Sequence, residues 1–391
     1  MAFDFDKVID RRNTNSEKWD LMGLACGLDA PDAIAMWVAD MDFEAPFAVK
    51  RALAAEVRRS THGYYASNSG WRAACAGWLK RRHNWQIDPD WISATPGIVS
   101  ALGLILQAVS QPDDEVIVFS PAYRTFRIII EANGRKIHNV PMLSEQGRYK
   151  MDFDTLASTI TDRAKVVFFC SPHNPGGRVW EHEEIVRLAN FCVENDLILV
   201  SDEIHHDLVY PGKTHVPTAI AAPFVEDRLI TCVAATKTFN LAGAHVGACI
   251  TANPQLRKKL DACINAAGLS SYNLFGMLAT EAAWREGDAW LDALIPYLDA
   301  NRQHFDAGIA RAIPGARSMP MEATYLAWVD FEGTGLARED IMDRITHRAR
   351  IGVSPGPQFG PGGEMFVRFN LATPRYWIDE ALKRLEEAFR A

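Results

Sequence analysis

The chain lacks what a membrane protein, a secreted scaffold or a nucleic-acid binder would need. No run approaches the ~18 consecutive apolar residues that read as a membrane span. Its opening, "MAFDFDKVIDRRN", mixes acidic and basic residues without the apolar stretch of an export signal. Positive charge is in deficit, with 41 Lys and Arg against 49 Asp and Glu, a net charge of −8. No basic stripe is left for a phosphate backbone, so neither nucleic acid nor a membrane is expected as partner. The seven cysteines (26, 75, 170, 192, 232, 249 and 263) are odd in number and mostly inside apolar runs. No C-x-x-C and no Cys/His spacing of a metal site occurs, so buried free thiols, a reducing cytoplasm and no metal are expected. Internal repeats and low-complexity linkers are missing too.

What is present is a soluble globular composition, 48% apolar and 23% charged, over 391 residues, enough for about two domains. "EVIVF" (115–119), "KVVFF" (165–169), "LILVS" (197–201), "LITCV" (229–233) and "VGACI" (246–250) have the unbroken apolar character of strands buried on both faces. Amphipathic segments alternate with them; in 183–196, Ile185, Leu188, Ala189 and Cys192 share one helical face. This alternation predicts an α/β fold with a mostly parallel sheet. Toward the end the pattern changes to long helices over about 272–312, strands at 324–331 and 364–372, and a last helix at 376–390. A large unit is therefore expected at 46–285, and a smaller α+β unit from 1–45 together with 286–391.

In open α/β sheets ligands bind beyond the carboxyl ends of the strands, and four polar motifs fall there. "LITCV" leads to Lys237 in "AATKTFNLAGAHVG", a long cation among small residues. Desolvation lowers a lysine's pKa and frees its amine to attack a carbonyl, whereas a lone lysine more often snorkels to solvent. "LILVS" ends at Asp202, placed to hold a protonated ring nitrogen or to cap a helix. "DEIHH" invites a metal, but His205 and His206, being adjacent, point apart on either a strand or a helix. "SPHNPGG" (171–177) is a turn that would fix the amide of Asn174 in a cleft. "TPGIVSAL" sets Gly97, Ile98 and Val99 at a helix start whose N–H groups suit a phosphate, or is simply a helix start. Tyr123 follows a strand and a proline, positioned to stack on a planar ring or to fill a core. Tyr64 and Tyr65 lie in a loop and could hydrogen-bond an anion. Arg368, in "FVRFNLATPR", is flanked by apolar residues and needs an acidic partner, either an internal carboxylate or that of a substrate.

The order and spacing of "SPHNPGG", "SDEIHHDL" and "TKTFNLAG" resemble fold-type I pyridoxal-phosphate (PLP) enzymes of the aminotransferase superfamily, over nearly the whole chain. The opening "FDKVIDRRNTNSEKWD", "MWVADMDF" (36–43), "DEIH" and "RFNLATPR" are similar to its cystathionine β-lyase-like C–S lyase branch. The resemblance implies a large domain with a mostly parallel seven-stranded sheet and a smaller α+β domain. It implies Lys237 as the residue that carries PLP, with Tyr123 stacked on the ring as the second catalytic candidate. Asp202 would face the ring nitrogen, Asn174 and His205 the phenolic oxygen, and Gly97, Ile98, Val99, Thr236 and His245 the phosphate. Tyr64 would reach that phosphate from the second subunit of a homodimer with shared active sites. Arg368, Asn174, Tyr64 and the backbone of Ala39 would bind the amino-acid substrate. Two positions depart from the aminotransferase pattern: His245 and Ala234 stand where an arginine and a serine usually touch the phosphate, so weaker or more pH-sensitive PLP retention is expected.

The implied activity is α,β-elimination, cleaving cystathionine or a cysteine S-conjugate to thiol, pyruvate and ammonia. An aminotransferase would use the same residues, and a PLP-binding regulatory protein would need none of the chemistry. Pyruvate release from cystathionine without an added 2-oxo acid separates the three.

Overall fold

The computed structural model describes residues 3–145 and 147–390. Its centre is a seven-stranded sheet of β1 (Ile92–Thr95), β2 (Glu115–Ser120), β3 (Lys136–Pro141), β4 (Ala164–Cys170), β5 (Ile198–Asp202), β6 (Leu229–Val233) and β7 (Gly247–Ile250). The spatial order is β1-β7-β6-β5-β4-β2-β3. Only β7 runs against its neighbours, pairing antiparallel with β1 and β6 while the other pairs are parallel. The unbroken apolar runs have a direct cause. Val116, Val118, Val166 and Phe168 enter one apolar cluster, while Ile117, Phe119, Val167 and Phe169 enter another. Successive side chains point to opposite faces and both faces are covered, so no position in these strands can be polar cheaply. Each such side chain contributes roughly 1.5–3 kcal/mol on burial.

The covering helices include α1 (Phe47–Arg59), α2 (Ser69–His83), α3 (Ile98–Val109), α4 (Arg124–Ala132) and α5 (His182–Glu194). The 183–196 face is packed as its spacing predicts, with Ile185, Leu188, Ala189 and Cys192 buried. The start of α5 is fixed by reciprocal bonds between the Glu181 and Glu184 side chains and each other's backbone N–H groups. The expected helical stretch at 272–312 divides into α6 (Leu274–Glu286) and α7 (Asp288–Ala312), which meet at Gly287.

A four-stranded antiparallel sheet follows, built from Arg317–Ser318, Leu326–Asp330, Ser354–Pro355 and Phe366–Asn370, with α8 (Arg375–Phe389) after it. The chain's beginning joins this region: Ile34–Ala35 pairs in parallel with Ile351–Gly352. One apolar cluster runs from Phe5 through Trp71, Trp284 and Leu298 to Leu385, across the expected boundary near 285. No helix among the described residues is long and apolar enough to cross a membrane.

Candidate active site

Five strands deliver their following residues to one edge of the main sheet. β6 ends at Val233 and a short helical turn, Ala235–Thr238, carries Lys237. β5 ends on Asp202 itself, level with Cys170 of β4 and Cys232 of β6. β4 runs into the buried turn 171–177, β2 leads to Tyr123, and β1 leads to Gly97. Between them lies a cavity of ≈ 400 Å³.

Lys237 is half-buried, and its Nζ donates to the carbonyl oxygen of Ala39 at 2.6 Å. Desolvation lowers its pKa; Asp40 pulls the other way, and the charge of Arg368 lowers it further. Asp202 shares the cavity, and burial pushes its pKa up to about 7 despite an N–H from Ile204 at 3.2 Å. A carboxylate this poorly compensated will take up a proton or attract a cation. Burial, with the charges of Lys237 and Arg368, pushes His205 down to about 3, so its ring is neutral. Its buried Nδ1 has no hydrogen-bond partner.

Arg368 is buried, and burial lowers its pKa to about 10. It donates to Asn174 Oδ1 at 2.9 Å, Trp37 O at 3.0 Å and Ser354 Oγ at 3.4 Å, while its Nε has no partner. Among the described residues no carboxylate lies within ion-pairing distance of it. The internal salt bridge left open by the sequence is therefore not made. Because Asn174 Oδ1 is taken by Arg368, its Nδ2 is the group left to donate into the cavity.

The carbonyls of Trp37 and Ala39 come from a strap, residues 36–43, held from several sides. Arg11 grips the Asp40 carboxylate through two bonds of 3.0 and 2.8 Å. Buried Lys18 pairs with Asp42 at 2.6 Å, and Trp19 Nε1 donates to the same carboxylate at 2.8 Å. Asn370 Nδ2 donates to the carbonyls of Val38 and Asp40 at 2.6 and 2.7 Å. Asn240, three residues beyond Lys237, donates to the carbonyls of Met41 and Phe43 at 3.0 and 2.8 Å.

At the opposite wall α3 starts after Gly97, whose φ of +90° favours glycine. The sequence reading offered the N–H of Gly97 as an anion donor, but it is spent on Thr95 O at 2.8 Å. The amides that follow, from Ile98 and Val99 into the first turn, have no helical acceptor and open an anion site. A Cβ on Gly247 would sit 2.6 Å from Ile98 Cδ1 and 3.1 Å from the Gly97 carbonyl carbon, so a larger residue in β7 would have to displace this helix start. Thr236 and His245 also line the cavity, His245 exposed and with a φ of 48°.

Residues 33–385 match the family Aminotransferase class I and II. The chain belongs to this family. It is 37% identical over 385 residues to cystathionine beta-lyase PatB of Bacillus subtilis, covering 98% of this chain and 99% of that one. Among solved structures, cystalysin of Treponema denticola, which contains pyridoxal 5'-phosphate, superposes with a TM-score of 0.95 at 33% identity over 99% of each chain. The PLP-bound C–S lyase of Staphylococcus hominis complexed with L-cycloserine gives 0.93 at 31% identity, over 100% of this chain and 99% of that one.

For a member of this family the residues fit a bound pyridoxal phosphate: an under-compensated carboxylate, a neutral imidazole with a free nitrogen, a desolvated amine and open helix amides share one cavity. Of the residues singled out from sequence, Ala39, Gly97, Ile98, Val99, Tyr123, Asn174, Asp202, His205, Thr236, Lys237 and His245 line it. Arg368 borders it through Asn174. Tyr64 is not brought there; it is 95% exposed on the surface of its own chain. Sequence reasoning missed the Trp37 carbonyl, Ser354, Asn240 and Asn370. Asn370 had a signal, since it and Arg368 are the polar residues at i and i+2 of an otherwise apolar strand and share one face.

Behind the site, His206 turns away from His205 into a second buried group. Asp207 accepts from His83 Nε2 at 2.7 Å, Trp78 Nε1 at 3.0 and 3.2 Å, and Thr238 Oγ1 at 2.6 Å. These contacts fill the lone-pair directions of the carboxylate. Glu203 accepts from His215 Nε2, Ser201 Oγ and the Thr218 N–H, each at 2.9 Å. His83, His206 and Asp207 have ligand-capable atoms within 4.8 Å of one another, and Asp207 spends its own on these donors.

Proposed function

We propose that the protein is a PLP-dependent C–S β-lyase that cleaves L-cystathionine or a related cysteine S-conjugate. The observation that carries this reading is the complementarity of the cavity. A desolvated Lys237 shares it with a buried carboxylate lacking a cation and borders a buried guanidinium lacking a carboxylate. An amino acid bound beside pyridinium chemistry supplies both missing charges. The kinship to PatB and to the C–S lyase of Staphylococcus hominis supports elimination over amino transfer.

When bound, PLP supplies the conjugated, electron-withdrawing ring that makes the substrate Cα proton acidic. Lys237 would carry it, and as a free amine would take the Cα proton. Asp202 would keep the ring nitrogen protonated, and Tyr123 would lie against the ring. His205 and Asn174 Nδ2 would address the phenolic oxygen. The amides of Ile98 and Val99, with Thr236 and His245, would hold the phosphate. Arg368 binds the substrate α-carboxylate, oriented by Asn174 and Trp37, and the Ala39 carbonyl holds the lysine amine in place. The balance is L-cystathionine plus water to homocysteine, pyruvate and ammonia; the Cβ–S bond breaks and sulfur leaves as the thiolate.

A homodimer with shared active sites fits the exposed Tyr64, which would reach the partner's phosphate. A two-domain division at 46–285 against 1–45 with 286–391 fits the pairing of Ile34–Ala35 with Ile351–Gly352. A cytoplasmic location fits seven cysteines that are all free thiols, five of them buried. Incubation of purified protein with L-cystathionine, without a 2-oxo acid, tests the activity. One pyruvate per thioether is expected. Turnover only after an acceptor is added would make the protein an aminotransferase, and none in either case would leave a PLP-binding regulator.

A further inference from the structure

A second cavity, of ≈ 430 Å³, adjoins the first, with Tyr123 in the walls of both. Its wall includes Phe359, whose ring carries the Arg368 guanidinium at 4.8 Å. Four cations line it, and three have settled partners. Arg127 is bound to Glu131 at 3.0 Å and Lys136 to Asp113 at 3.1 Å. Arg135 is spent on the carbonyls of Ser110 and Leu106 at 2.6 and 3.1 Å. Arg124 differs. Exposed beside Tyr123, its guanidinium has one hydrogen-bond partner among the described residues, Gln358 Oε1 at 3.5 Å, and no carboxylate there pairs with it. Its charge is felt at Arg368.

We propose that Arg124 is a specificity residue that takes a second carboxylate, carried on the sulfur-borne half of the substrate. This rests on the lyase reading and narrows it to thioethers with a distal carboxylate. Two guanidiniums then divide one doubly anionic substrate: Arg368, buried, holds the α-carboxylate of the half being cleaved, and Arg124, in the wall of the adjoining cavity, holds the half that leaves. Gln358, with its Oε1 facing Arg124, keeps Nε2 to donate to the same anion. In a chain of net charge −8 such an unpaired cation also draws anions toward the cleft.

The test compares S-(2-carboxyethyl)-, S-propyl- and S-(2-aminoethyl)-L-cysteine as substrates of the wild-type holoenzyme, Arg124→Gln and Arg124→Glu, by pyruvate release. The carboxyethyl-to-propyl ratio of kcat/KM should fall about tenfold in Arg124→Gln, mainly through KM, as for the loss of one charge-assisted contact at a cleft mouth. Arg124→Glu should turn the preference toward the aminoethyl compound. If pyruvate is released and neither substitution moves these ratios, the inference is overturned while the lyase reading stands. If the wild-type enzyme releases pyruvate from none of the three, the lyase reading falls and takes the inference with it.

Discussion

Two buried polar groups of side chains meet within residues 202–207, and they have opposite histories of satisfaction. On one side Asp202, His205, Lys237 and Arg368 keep unmatched charges and open hydrogen-bonding atoms. On the other, Glu203 and Asp207 are surrounded by donors from His83, His215, Trp78, Thr218 and Thr238. Burial would raise the pKa of Asp207, but His206 and the bond from His83 hold it well below the usual carboxylate range. Asp202, five residues earlier, has no such company and is pushed up to about 7. Polar burial is costly in both places. The satisfied carboxylate of Asp207 fixes the turn that carries Lys237, through Thr238; the incomplete group is left for ligands to complete.

Substitutions should separate the two. Lys237→Ala should lower pyruvate release at least ~10³-fold, as expected for loss of a positioned base, with an unchanged circular dichroism melt. Asp202→Asn should reduce kcat by ~100-fold, the equivalent of about 3 kcal/mol for one charged hydrogen bond. Arg368→Lys should raise KM by about tenfold, since a lysine cannot make the forked contact with a carboxylate. Asp207→Asn should act on the other side of the comparison, lowering unfolding free energy by ~3 kcal/mol in urea titrations because its partners lose a buried counter-charge. Activity per folded molecule should change far less than in Asp202→Asn; an equal loss would erase the distinction.

A pH series sharpens it further. Asp207, depressed in the folded state, contributes stability present above its unfolded pKa and lost as pH falls. Asp202 in cofactor-free protein has the opposite sign: its contribution is present in acid and lost as pH rises through about 7. Asp202→Asn should therefore flatten the decline between the ordinary value of 3.8 and about 7 in thermal melts, without touching the more acid limb that belongs to Asp207. The smallest effect expected is at His245, which lines the cavity where the aminotransferase pattern has an arginine: His245→Arg should slow cofactor loss on dialysis.

Much of this was legible in the sequence, for physical reasons that can be located. Strands buried on both faces cannot hide their apolar runs, so β2, β4, β5, β6 and β7 were found within a residue or two of their ends. Residues that line the cavity sit just past those runs, which marked Asn174, Asp202 and Lys237. A carbonyl placed by its backbone leaves no such mark, so Trp37 went unread. Nor did the spent amide of Gly97 show, because its turn bonds back to Thr95. His83 carries no mark either, since its partner Asp207 lies 124 residues away.

The strap at residues 36–43 has a consequence for how the enzyme comes into being. Its partners lie far along the chain: Met36 accepts from the N–H of Asn370 and gives its own to Gly352. The cleft therefore cannot close around its lysine until residues 352–370 have been synthesised, and a nascent chain short of them carries an open, unfinished cavity.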